Sequence, residues 1–351
     1  MNSILLTRLE ALSLGKTLSE PDAYALMDVI MQGEATPAQI GGVLMALRVR
    51  GERIDELTGF ARAMRDHAVP VPVLSRPLID TCGTGGDRSF TFNVSTVSAF
   101  VVAGAGLHVA KHGNRSATSK SGSADLLEAL GISIQRDPAV VADLIDQVGF
   151  GFLFAQQVHT SMRHAAPARR ELGVRTVFNI LGPLTNPCRP DYQLMGVFDS
   201  QWVEPVSEVL ARLGVQRAMV VHGHGGLDEV SLSGPTDYGL VADGHVIRGV
   251  LTPEELGLPY YPVGSFAGGE PAVNALICRQ IIAEHVPGPL ADMVLANAGA
   301  ALFVGGLATS PREGVELARE SIRQNKAQTV LARLREASPL VREKGGMPNV
   351  S

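Results

Sequence analysis

The sequence is poor in most features that would narrow its class quickly. It holds three cysteines, Cys82, Cys188 and Cys278, far apart in 351 residues and without a CxxC pair. That number and spacing exclude a disulfide framework and a structural zinc site, and they point to a reducing compartment. It has no basic excess: the net charge is −5 and no long basic block occurs. The electrostatic footprint of non-specific nucleic-acid binding is therefore missing, and no nucleic-acid partner is expected. Long apolar runs are also absent. The two longest, near residues 99–110 and 298–308, are glycine-rich and shorter than the roughly 20 residues of a membrane span. The first ten residues carry Arg8 and Glu10 inside their only apolar patch, unlike the uncharged core of a secretory signal. No membrane partner is expected, and the expected location is the cytoplasm. Neither an internal repeat nor a low-complexity segment is visible.

What is present describes a packed globular body. Apolar residues make up 45% of the chain and charged residues 19%. The length exceeds the roughly 250 to 300 residues at which single cores stop growing, so a main domain and a smaller one are expected. Residues 1–70 read as helices only. Leu5, Leu9 and Leu12 follow helical spacing, Thr36-Pro37-Ala38-Gln39 carries a capping signal with Pro at N1, and Ser19 before Pro21 and Asp22 is a looser start. The stretch VPVPVLSRP, residues 69–77, brings three prolines and a change of period, which places a domain crossing there. Beyond it short apolar runs alternate with helical patterns. Strands are predicted at 78–80, 108–112, 131–134, 150–155, 192–198 and 217–223. The fold class is therefore α/β, a mostly parallel central sheet with covering helices plus a smaller all-helical domain. The small domain takes residues 1–70 and is expected to be rejoined by helices within 161–187. The large domain takes 71–160 and 188–351.

Three turns carry the chemistry. DTCGTGGD, residues 80–87, places Gly83, Gly85 and Gly86 where backbone must turn tightly and approach a ligand. It is neither a Walker loop nor GxGxxG, and alone it is equally well a plain strand-to-helix turn. Thr91, Asn93, Ser95 and Thr96 then stand at the start of the next helix, where unpaired N–H groups and hydroxyls favour an oxyanion; simple capping would account for one of them. The second turn repeats the design with Lys111, His112, Asn114, Arg115, Ser119 and Ser123, whose cations suit a phosphate. The third, HGHGGLDEV, ends in the adjacent carboxylates Asp228 and Glu229, hard oxygen donors suited to magnesium beside a polyphosphate. Its His222 and His224 are weak candidates for a transition metal. Ligands at successive strand ends fit the rule for open parallel sheets.

The stretches GTGGD (83–87), NVST (93–96), KHGNRSATSKSGSADLLEALG (111–131), RRELGVRTVFNILGPLTNP (169–187) and HGHGGLDEVSLSG (222–234) resemble the anthranilate phosphoribosyltransferases. They occur in the family's order and span about 150 residues. The resemblance implies a homodimer that binds phosphoribosyl pyrophosphate with Mg2+ and anthranilate. It places Gly83, Gly86, Asp87, Thr91, Asn93, Val94, Ser95, Thr96, Lys111, His112, Gly113, Asn114, Arg115, Ser116, Ala117, Thr118, Ser119 and Ser123 around phosphoribosyl pyrophosphate. Gly83, Asn114 and Arg169 would face anthranilate, and Ser95, Asp228 and Glu229 would serve magnesium. No general base is implied, because an aromatic amine attacks neutral. Arg88-Ser89-Phe90 depart from the smaller residues seen after GTGGD in relatives. Two alternatives stay open: a pyrimidine-nucleoside phosphorylase-like enzyme, and a non-catalytic relative that binds nucleic acid or a regulatory ligand.

Overall fold

A computed structural model describes residues 3–86, 91–116 and 120–340. Asp87, the 88–90 departure, and Ala117, Thr118 and Ser119 lie outside the described residues.

The chain opens with helices α1 (Ser3–Ser13), α2 (Glu20–Met31), α3 (Pro37–Arg50) and α4 (Ile54–Asp66). The capping signals act as their chemistry requires. Thr36 Oγ1 accepts the Gln39 N–H at 3.3 Å while Gln39 Oε1 accepts the Thr36 N–H at 2.9 Å. This reciprocal box satisfies two orphan donors and is worth about 1 kcal/mol. Ser19 Oγ likewise accepts the Asp22 N–H at the start of α2. Glu56, fully buried, accepts the Leu18 N–H at 2.8 Å and the Arg53 N–H at 2.9 Å and pairs with Arg50, so its charge is met inside the bundle.

Strand β1 (Leu78–Gly83) begins the sheet, followed by α5 (Val94–Gly104), β2 (His108–Gly113), α6 (Ser123–Ala129), α7 (Pro138–Val148) and β3 (Phe150–Phe154). The chain then leaves the sheet through α8 (Ala155–Val158), α9 (Ala166–Leu172) and α10 (Phe178–Leu184). Ala168, Val177, Phe178 and Leu181 share a buried cluster with Leu26, Leu44 and Phe60 of the first helices. The sheet resumes with β4 (Tyr192–Gly196), α11 (Val203–Arg212), β5 (Arg217–Gly223), β6 (Thr236–Ala242) and β7 (His245–Leu251). Helices α12 (Pro253–Leu256), α13 (Pro271–Ile282), α14 (Pro289–Val304), α15 (Pro311–Arg323) and α16 (Lys326–Ala337) complete the described chain.

The strand order is β3-β2-β1-β4-β5-β6-β7, parallel from β3 through β5 and antiparallel at β6 and β7. Successive side chains of a strand face opposite ways, so a central strand covered on both faces buries residues on each side. In β5, Met219 and Val221 enter the cluster beneath α5 and α14, whereas Ala218 and Val220 enter the cluster shared with α11 and the first helices.

Two strand expectations need correction. Residues 131–134 form no strand: Ile132 makes a single bridge to Pro339, and Ser133 and Leu340 exchange bonds with the same two segments. An apolar run bordered by glycine has buried itself against an irregular segment instead of a ladder. The hairpin β6–β7 was not expected. Its turn, Asp243 at φ 51° and Gly244 at φ 75°, has the paired positive φ that joins two-residue hairpins. Val246 is half-buried while Ile247 and Val250 are exposed, so β7 lacks the apolar alternation that would have marked it.

Candidate active site

Strands β1, β2, β4 and β5 all end in glycine, and packing explains each. A Cβ on Gly83 would overlap the Asp228 carboxylate, one on Gly196 the Asp228 carbonyl, and one on Gly223 the Glu229 carbonyl. Three neighbouring strand ends are therefore bare so that the turn carrying Asp228 and Glu229 can lie directly on them. Gly113 similarly leaves room for Ser123 and Phe152. The turn is held from below: Asn297 in α14 accepts the Val230 N–H at 2.8 Å and donates to the Val230 carbonyl at 3.0 Å.

The two carboxylates reach backbone donors far away in sequence. Asp228 Oδ2 accepts the Gly85 N–H at 2.7 Å, and Glu229 Oε1 accepts the Ser95 N–H at 3.2 Å in the first turn of α5. A negative charge is favoured there by the helix dipole. Asn93 makes no side-chain cap bond. Its amide donates to the Ser121 carbonyl at 3.0 Å, and its oxygen accepts Ser121 Oγ–H at 3.1 Å and Asn274 Nδ2–H at 2.9 Å. Asn93 thus ties the two strand-to-helix turns to α13. Thr91 bridges Ala267, leading into the same start.

Lys111 differs from the phosphate-facing cation expected of it. It is 1% exposed, and its Nζ donates to the Thr81 carbonyl and to Ser95 Oγ at 3.3 Å. Desolvation holds its pKa below the usual range, opposed by the nearby Asp80, Cys82 and Glu229. It supports Ser95 from beneath and adds its charge from there. Asp80, fully buried, accepts the His112 N–H at 3.2 Å and Asn186 Nδ2–H at 2.9 Å, and burial pushes its carboxyl up to about 6. The His112 ring lies on the other side of the sheet from Lys111, edge-on to His159 at 5.0 Å. Burial holds both imidazoles neutral, His112 well below its ordinary pKa and His159 down to about 4.

The second turn is locally satisfied. Arg115 pairs with Asp125 at 2.9 Å and Glu128 at 2.7 Å, which raise its pKa, and it lies over the Phe154 ring at 5.8 Å. Asp125 also accepts the Ser116 and Gly122 N–H groups, and Ser123 Oγ donates to the Asn114 carbonyl at 3.2 Å. The Val94 and Thr96 side chains are buried, so these residues can meet a ligand only through backbone.

Arg169, in α9, lies over the Phe178 ring at 4.9 Å, half-buried, and desolvation lowers its pKa. No ion pair of its guanidinium is found among the described residues. Arg170 is exposed. Nothing in the geometry brings Arg169 into bonding contact with Gly83 or Asn114. Arg175, whose guanidinium donates to the Gly86 carbonyl and lies over the Phe198 ring at 4.4 Å, is not among the expected site residues. Nor are Asp80, Asn186 and Asn274. Arg175 and Asn186 stand inside the stretch 169–187 and Asp80 opens the stretch 80–87, both already singled out; only Asn274 has no local signal.

The hard oxygens of Asp228, Glu229 and Ser95 form a donor set that suits magnesium, which keeps waters and takes one or two carboxylates beside substrate phosphates. Among the described residues no three His, Cys, Asp or Glu side chains gather into an all-protein cage. His222 bonds the Val197 carbonyl through Nδ1 and His224 packs on Gly234, so neither joins such a group.

A doubly covered sheet with strand-end carboxylates, joined to a helical bundle, defines a class of two-part glycosyl transferases. Residues 75–328 match the glycosyl transferase family a/b domain, and residues 7–68 match the helical bundle domain of that family. The chain is 53% identical to an anthranilate phosphoribosyltransferase of Symbiobacterium thermophilum, over 92% of this chain and 94% of that one. The crystal structure of the Thermus thermophilus anthranilate phosphoribosyltransferase superposes with a TM-score of 0.90 at 47% identity, covering 94% of this chain and 98% of the other. The Saccharomyces cerevisiae enzyme, solved with phosphoribosyl pyrophosphate and Mg, gives 0.87 at 29%, covering 96% and 98%. With 4-fluoroanthranilate it gives 0.86 at 27%, covering 95% and 97%. The chain belongs to the anthranilate phosphoribosyltransferase family.

Proposed function

We infer that the protein transfers the phosphoribosyl group of phosphoribosyl pyrophosphate to the amine of anthranilate, a step of tryptophan biosynthesis. The C1–O bond to pyrophosphate breaks, a C1–N bond forms, and the amine proton passes to solvent. The products are N-(5-phosphoribosyl)anthranilate and pyrophosphate. The observation that carries the site assignment is the convergence of Asp228 and Glu229 on the Gly85 and Ser95 N–H groups at the ends of β1, β4 and β5.

In this reading the turn from Gly83 to Gly86 with Asp87, the helix start from Thr91 to Thr96, and residues 111–119 with Ser123 hold the donor. Magnesium, which neutralises pyrophosphate charge when bound, is held by Ser95, Asp228 and Glu229. In this structure the Ser95 N–H at the start of α5 is met by the Glu229 carboxylate, so the pyrophosphate has to take that place at the helix start, and the charge of magnesium would offset the repulsion between the anions. Lys111 contributes from below through its charge and through Ser95 Oγ. Arg169, Gly83 and Asn114 hold anthranilate. The Arg169 guanidinium is a donor-only fork that grips a carboxylate without taking the amine lone pair. Fixing amine and C1 in line lowers the entropic part of the barrier, and no residue need act as a general base.

The division into 1–70 with helices of 161–187, against 71–160 and 188–351, belongs to the same proposal. So do a homodimer and a cytoplasmic location. Ile4, Leu6 and Val49 of the helical unit are exposed apolar residues, and sedimentation tests the dimer. Among the described residues no helix is long and apolar enough to cross a membrane. The names of the relatives favour the transferase over the phosphorylase and the non-catalytic alternatives. The test is loss of anthranilate fluorescence on adding phosphoribosyl pyrophosphate with magnesium. Folded protein that leaves the signal unchanged overturns the reading.

A further inference from the structure

We propose that Arg175 is a positioning residue that sets the glycine turn after β1 from the helical side of the molecule; this rests on the donor assignment above. Arg175 lies in the short link between α9, which ends at the left-handed Gly173, and α10. Its backbone carbonyl accepts Arg48 Nη1–H from the last turn of α3. Its guanidinium crosses to the sheet, donates to the Gly86 carbonyl and has its carbon 4.4 Å from the Phe198 ring centroid, just beyond β4. Among the described residues it has no carboxylate partner. One arginine thus joins the first helical bundle to the proposed donor turn.

The turn needs such a partner. Gly85 and Gly86 have φ of 65° and 76°, and consecutive glycines carry little preference of their own for any one orientation. Their partners decide it. Asp228 takes the Gly85 N–H at 2.7 Å on one side, and Arg175 takes the Gly86 carbonyl on the other. Thr84 anchors the base, with its N–H on the Gly196 carbonyl at 3.0 Å and its hydroxyl accepting the Phe198 N–H at 3.1 Å. A Cβ on Gly86 would sit 3.0 Å from Arg175 Nη2, a contact that a small shift of the guanidinium relieves, and it is the positive φ that calls for glycine here. Because a peptide unit is planar, fixing the Gly86 carbonyl fixes the plane of its peptide. A lysine could keep the charge but not the planar fork that directs one N–H to the carbonyl while the guanidinium stays over the Phe198 ring.

The test compares the full-length parent with Arg175→Ala, Arg175→Lys and Arg48→Ala, by initial rates and by calorimetry with phosphoribosyl pyrophosphate and magnesium. Both Arg175 variants are expected to raise KM and Kd for phosphoribosyl pyrophosphate about five-fold or more, with KM for anthranilate within about two-fold. Arg48→Ala, which removes an exposed side chain and leaves the guanidinium in place, is expected to shift the same constants in the same direction by about two-fold. Recovery of parental constants by Arg175→Lys would reduce the residue to a point charge and overturn the positioning role. An unchanged donor constant in Arg175→Ala, or equal rises for both substrates, would overturn it also. A parent that fails to bind phosphoribosyl pyrophosphate would instead sink the donor assignment itself.

Discussion

The turns after β1 and β2 follow the same plan, strand, glycine, polar run and helix, yet they are charged in opposite ways. After β1 the acids come from more than 130 residues away: Gly85 and Ser95 donate to Asp228 and Glu229. After β2 the charge is settled within 13 residues, Arg115 being held by Asp125 and Glu128 of the adjoining helix. A long-range contact assembles only in the folded molecule, and its carboxylates sit on N–H groups that could release them to a ligand or cation. A short-range ion pair with exposed members chiefly fixes the start of its own helix. The first turn draws its charge partners from across the fold and the second from its own helix.

Breaking the long-range side should have the largest effect. Asp228→Asn with Glu229→Gln is expected to lower kcat/KM about 100-fold or more, roughly 2.7 kcal/mol of transition-state stabilisation, and to raise the magnesium requirement while the fold persists. Superimposable magnesium titrations of variant and parent would remove the metal role from this turn. Arg169→Ala should raise KM for anthranilate about ten-fold, as loss of a charge-assisted pair worth about 1.5 to 3 kcal/mol implies. The donor constant should stay put and Arg170→Ala should be milder; a larger effect of Arg170 would reassign the acceptor pocket.

Below the β2 turn the support includes two buried neutral histidines, and acid should expose this. His159 is held down to about 4 from an ordinary 6.5, so the unfolded chain binds its proton first as pH falls. Stability from this group is full above about 6.5, declines through the interval, and is lost by about pH 4. The ceiling is about 3 kcal/mol at 1.36 kcal/mol per pKa unit. Asp80 works the other way: its folded carboxyl, raised to about 6, binds a proton before the unfolded one, so acid favours the fold through that group. Because the His112 ring faces His159, the difference between His159→Gln and parent reports the histidine pair. Denaturant unfolding from pH 7 to 4.5 should show a shallower acid loss in the variant, and parallel curves would refute it. The smallest effect is expected from Arg115→Ala, at most about 1 kcal/mol of stability because its pairs are exposed. Its donor KM should rise by less than that of Arg175→Ala, and a greater rise would show that Arg115 leaves its helix to meet the ligand.

Much of the fold could be read along the chain because its signals are local. The capping box at Thr36, the prolines after residue 69 and the runs at β1, β2, β3, β4 and β5 each act through neighbours a few residues apart. The hairpin β6–β7 escaped because β7 faces solvent with apolar residues and the core with few. Residues 131–134 misled because burial against the 338–340 segment looks, in sequence, like burial in a sheet. Within the site, the glycines, hydroxyls and acids announced themselves by type, but type carried no direction. Lys111 points beneath Ser95, the His112 ring turns to the far side, and Arg115 folds back on α6.

The sequence by itself determined an α/β chain with a helical start, the order of its motifs and their resemblance to one family, since periodicity, turn residues and motif spacing are one-dimensional. Only the tertiary structure decided that Gly83, Gly196 and Gly223 are bare to admit a single acidic turn, and that Arg48 and Arg175 connect the first helices to Gly86. Such choices depend on which atoms meet across more than a hundred residues. Closing those loops requires the whole core, and no local pattern encodes the direction in which a side chain then points.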